Sequence, residues 1–131
     1  MEFLAVFAAA AATFAFGAVW YISLSGPWME ASGVEVGPDG KPANDSDPIP
    51  YVISLVASLL VAGMMRHVFA LSGIDTVAEG AISGLGIGLF LAVPWLVTNY
   101  GFAGRPFRLM LIDGGYATIG STLMGTILTL F

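Results

Sequence analysis

The chain contains no cysteine, one histidine, and only four lysine and arginine residues in a length of 131. Without cysteine there is no disulfide framework and no thiolate metal site. Four cations make no basic face for nucleic acid, so no nucleic-acid partner is expected. A single histidine leaves no metal-ligand spacing, and no nucleophile elbow is present. The run Gly84-Leu85-Gly86-Ile87-Gly88 is not a phosphate cradle, because it is embedded in an apolar stretch with no lysine after it. Neither an enzyme nor a metal or cofactor is expected. Charge is the other shortage. Charged residues make up 10% of the chain, against about 25% in a soluble domain. Too few charges remain to cover a water-facing surface, which points to one integral membrane domain over residues 1–131.

Hydrophobic residues make up 57%, and they fall in long runs. The predicted fold is all-α, an integral membrane bundle of four transmembrane helices at about 3–22, 51–72, 76–100 and 107–131. Residues 23–50 form an extramembrane loop. The run 77–100 is the expected central helix, because Gly80, Gly84 and Gly88 recur in i, i+4 steps on one face. In lipid, such positions let a neighbouring backbone come close. Ala117, Ser121 and Gly125 give the fourth helix a second small-residue stripe, and Ala5 and Ala9 give the first helix another. Pro94 lies inside the third helix and is expected to kink it, freeing a carbonyl near Phe90. Trp20, Tyr21, Trp28, Trp95 and Tyr100 are predicted interfacial anchors. Trp28 and Met29 suit a short helical turn on the membrane surface. Beyond them, the Pro, Gly, Asp and Asn density is incompatible with regular structure. The start of the chain does not read as a secretory signal, since Glu2 precedes the apolar run and no cation does.

Four crossings place both termini and the 73–76 turn on one side of the lipid bilayer. Lys41, Arg105 and Arg108 lie on the other side, against Arg66 alone. The positive-inside rule then sets the loop side in the cytoplasm and the termini in the periplasm.

The segment GAVWYISLSGPWMEASG resembles the signature of a bacterial family of small four-helix membrane proteins with no assigned function. The resemblance is carried by Trp20, Tyr21, Gly26 and Trp28, and in the closing helix by Asp113, Gly114, Gly115 and Tyr116. It implies a multi-pass protein of the bacterial inner membrane. It brings no catalytic residues.

Ionisable residues inside an apolar span are the default candidates for function. Arg66 lies about 9 Å from the end of its helix and Glu79 about 6 Å into the next. Equal depth predicts an Arg66–Glu79 bridge, either a structural clasp or an ion relay with His67 as the titrating member. Asp113 lies about 10 Å along the fourth helix and needs a hydrogen-bond donor there. Trp20, Tyr21, Asn99 and Arg108 are the candidate donors. Asp113, Tyr116, Trp20 and Asn99 either tie helices together or line a pocket for a lipid headgroup or quinone-like ring. Asp39, Asp45 and Asp47 lack the alternating-oxygen pattern of a calcium loop. The expected role is a non-enzymatic structural or accessory subunit. It would self-associate or dock on a larger membrane complex through its small-residue faces. A small transporter or channel, or a lipid- or quinone-binding module, are the alternatives.

Overall fold

A computed structural model describes residues 2–131. They form α1 (Glu2–Ser23), α2 (Ser25–Ser32), α3 (Ile49–Ser72), α4 (Val77–Ile87), a π-helical turn (Gly88–Ala92), α5 (Val93–Phe102) and α6 (Phe107–Leu128). The fold is all-α. Local chemistry sets the boundaries. α3 starts at a Pro-Ile-Pro step and ends where Gly73 turns left-handed (φ 69°), its N–H returning to the Phe69 carbonyl. α4 opens on a reciprocal cap. The Thr76 hydroxyl accepts from the Glu79 N–H at 3.2 Å, and the Glu79 carboxylate accepts from the Asp75 and Thr76 N–H groups at 3.2 and 3.3 Å.

Pro94 does not break the helix. The widened turn Gly88–Ala92 precedes it, with the Val93 N–H reaching back five residues to the Gly88 carbonyl. A π turn of this kind absorbs the missing proline donor and the ring's bulk. α4, the π turn and α5 therefore run on as one rod, Val77–Phe102.

α1, α3 and this rod are each long and apolar enough to cross a membrane. α6 is not among them, although its 22 residues span about 33 Å. Asp113, Thr118, Thr122, Thr126, Ser121 and the glycines dilute its apolar character. Its threonines return their hydroxyls to their own helix, Thr118 to Gly114, Thr122 to Thr118 and Thr126 to Thr122, each at 2.8 Å.

α6, and not the 77–100 rod, is the centre of the packing. It buries Leu109, Ile112, Gly114, Gly120, Ser121, Met124, Gly125 and Leu128, whereas α4 buries only Gly80 and Gly84. α1 lies along one side of α6 and the α4–α5 rod along another, both antiparallel to it. α3 leans on α1 and touches α6 lightly. A core of Ala5, Ala9, Ala10, Ala62, Met65, Phe69, Met124 and Leu128 joins α1, α3 and α6.

The 23–50 segment is more ordered than its composition predicts. α2 is a full helix, and beyond it Val36 and Pro42 form an isolated antiparallel bridge. That small hairpin is closed by Gly37 N–H to Lys41 O and Ala43 N–H to Glu35 O, both 2.7 Å, around a left-handed Gly40. Arg105 donates to the Ser32 carbonyl at 2.9 Å, and Arg108 pairs with Glu30 at 3.3 Å. These contacts hold α2 against the start of α6.

Candidate functional site

The small-residue stripes meet one another inside the chain. Gly80 lies on Gly125 and Thr129, Gly84 on the Ser121 backbone, and Gly88 on Ala117 and Thr118. A Cβ built on Gly88 would stand 2.6 Å from the Thr118 Cα, and the tighter positions Gly80 and Gly84 leave still less room. The descending and ascending numbers give an antiparallel seam in which backbone meets backbone. α1 meets α6 in the same manner. A Cβ on Gly115 would lie 2.7 Å from the Trp20 ring, and one on Gly17 would lie 2.9 Å from Tyr116. Ala5 and Ala9 are buried as well. The faces expected to meet a second subunit are thus occupied within one molecule.

Asp113 sits between two tyrosines. Tyr21 of α1 donates to Oδ1 and Tyr100 of α5 donates to Oδ2, each at 2.6 Å. Both oxygens are occupied, and the carboxylate ties α1, α5 and α6 together at the loop side. Of the expected donors only Tyr21 serves Asp113. Trp20 donates to the Ile112 carbonyl at 2.9 Å, Arg108 turns to Glu30, and Asn99 is exposed. Tyr100 was read only as an anchor. A signal for it existed: it lies six residues before Pro106 and Asp113 lies seven after it, so their depths match across the hairpin. Rings extend the cluster. Tyr21 meets Tyr116 and Trp28 edge-on at 5.4 and 6.1 Å, and Phe16 stacks on Tyr116 at 6.0 Å.

Arg66 and Glu79 do not form the expected bridge. Glu79 is exposed and held by its own cap, as described above. Arg66 instead donates to the Leu128 carbonyl at 3.2 Å and lies 3.7 Å from Glu2. The reason is positional: α3 leans on α1 and α6 and not on α4, so the start of α1 and the end of α6 are what Arg66 can reach. His67 is exposed and joins neither group.

Because α3 stands away from the α4–α5 rod, a groove of about 430 Å³ opens between them. α6 forms its floor. Ser54, Ser58 and Val61 line the α3 wall; Ile87, Leu91 and Trp95 line the opposite one; Tyr116 and Met124 lie below. Tyr116, Ser54 and Ser58 all line the groove. Tyr116 is therefore the member of the predicted pocket that faces a real cavity. Asp113, Trp20 and Asn99 do not line it.

A family model described as a protein of unknown function, DUF1761, matches residues 4–129. No curated protein and no solved structure matches the chain.

Proposed function

The chain belongs to the DUF1761 family, whose description carries no activity, and from its geometry we propose a non-enzymatic membrane module that takes up a small apolar molecule from the bilayer. α6 is the fourth crossing in this reading. Its self-bonded threonines, its Tyr-clamped Asp113 and its enclosure by neighbours support that placement, since each satisfies a polar group away from water. The loop side faces the cytoplasm of a bacterial inner membrane and the termini face the periplasm, by the balance of Lys41, Arg105 and Arg108 against Arg66.

The observation that carries the reading is the groove between α3 and the α4–α5 rod. Its lining covers residues 54–61 of α3 and 116–124 of α6, about 12 Å of helix. The hydrocarbon layer is about 30 Å thick. A crossing partner helix would meet the groove over less than half its length, whereas about 430 Å³ lies in the range of small-molecule sites. The small-residue stripes are paired within the chain, so the groove and not those stripes carries the reading.

Native mass spectrometry of gently extracted protein tests this. One small adduct per chain is expected, and it is lost in Ala57→Trp, which fills the groove from its α3 wall. Bare chain mass for both proteins overturns the reading.

A further inference from the structure

The geometry points to a ligand with a flat, carbonyl-bearing ring and an apolar tail, the chemical class of the membrane quinones, held by the Tyr116 hydroxyl together with Ser54 and Ser58. The inference rests on the groove being a binding site and specifies what it binds.

The hydroxyls of the bundle divide into two sets. Those of Thr13, Thr98, Thr118, Thr122, Thr126 and Thr129 each donate to a backbone carbonyl. Those of Tyr21 and Tyr100 donate to Asp113. None of these has a hydrogen left to offer a ligand. Among the described residues, the hydroxyls of Tyr116, Ser54, Ser58 and Ser121 have no backbone or carboxylate partner, and all four side chains line the groove. A hydroxyl cluster at this depth, away from water, needs a partner. A carbonyl oxygen accepts from it without bringing a charge into the hydrocarbon.

The two ends of the groove differ in chemistry. α6 and α3 run from the loop side downward while the α4–α5 rod runs upward. Trp95, Tyr116, Ser54 and Ser58 therefore gather at the loop-side end, and Val61, Ile87 and Met124 at the deeper end. The first end offers two aromatic rings and three hydroxyls, suited to an aromatic-sized ring with a polar edge. The second is mostly alkyl and thioether surface, with Ser121 between the two ends, and suits a tail. Trp95 is 71% exposed, so the ring end opens sideways, and in the four-span arrangement that opening gives such a molecule a lateral route in. Asp113 is excluded from the contact because both its oxygens are already engaged.

The test compares two probes in lipid nanodiscs, a benzoquinone carrying a decyl tail and decylbenzene, read by native mass spectrometry. The intact chain is expected to prefer the quinone several-fold. Tyr116→Phe keeps the ring stacked on Phe16 and removes only the hydroxyl. It is expected to weaken quinone binding by up to about tenfold, the effect of one hydrogen bond, and to leave decylbenzene unchanged. Ser54→Ala with Ser58→Ala gives an independent second variant, with the same expected direction. Equal binding of the two probes, or a Tyr116→Phe protein that binds the quinone undiminished, overturns this inference and leaves the groove reading standing. Binding of neither probe overturns both.

Discussion

Gly84 and Gly86 are two positions apart on α4 and have opposite surroundings. A Cβ on Gly84 would run into the Ser121 backbone, while nothing lies within 4 Å of one on Gly86. Gly84→Ala is therefore expected to lower unfolding free energy by about 1–3 kcal/mol, because backbone cannot rotate aside as a side chain does. Gly86→Ala is expected to be neutral or to gain up to about 1 kcal/mol from helix propensity. Denaturant titration in mixed micelles, followed by circular dichroism, reads both; equal losses at the two sites would count against the seam. The Asp113 clamp yields a second residue-scale prediction. Tyr21→Phe removes a short bond to a carboxylate and is expected to cost about 1.5–3 kcal/mol in the same titration. An unchanged midpoint would mean that the carboxylate does not depend on Tyr21.

At the scale of elements, the α4 cap and the Arg66 contacts are separable. Thr76→Ala removes the hydroxyl that closes the cap and is expected to cost about 0.5–2 kcal/mol, with no change at Arg66. Exchanging charges in Arg66→Glu with Glu79→Arg is expected to give no rescue, since Glu79 is not the partner. Recovery of stability in that double variant, measured against both single changes, would restore the bridge. These helices were largely legible in the sequence. Apolar runs marked the three helices able to cross a membrane, and the spacing of Gly80, Gly84 and Gly88 marked a close-packing face. What faced that stripe was not legible. Periodicity gives a helix its faces, but neighbours depend on how helices are ordered around an axis. Hence Arg66 was assigned to the helix next in sequence and found its partners on α1 and α6. Tyr100 was hidden for another reason, because an aromatic at a helix end reads equally well as an anchor. The groove had no sequence signal at all: it exists because α3 leans on α1, a matter of side-chain fit along the whole core.

For the whole molecule the decisive feature is the crossing of α6, and the lack of cysteine makes it directly testable. Single cysteines introduced at Asp39, Asp75, Ala103 and Leu130 report the face on which each lies, with no background thiol. A membrane-impermeant maleimide is expected to label Asp39→Cys and Ala103→Cys from one side and Asp75→Cys and Leu130→Cys from the other. Same-side labelling at 103 and 130 would remove α6 as a crossing and with it the four-span arrangement.

The threonine ladder and glycine seam of α6 also bear on how the protein is made. Of the four long helices, the most enclosed one follows the other three in the sequence. Without α6, the Gly80, Gly84 and Gly88 face of the rod and the Gly17 face of α1 lose the surface that fills them. A stop codon just before α6 is therefore expected to be as damaging to yield as an early one.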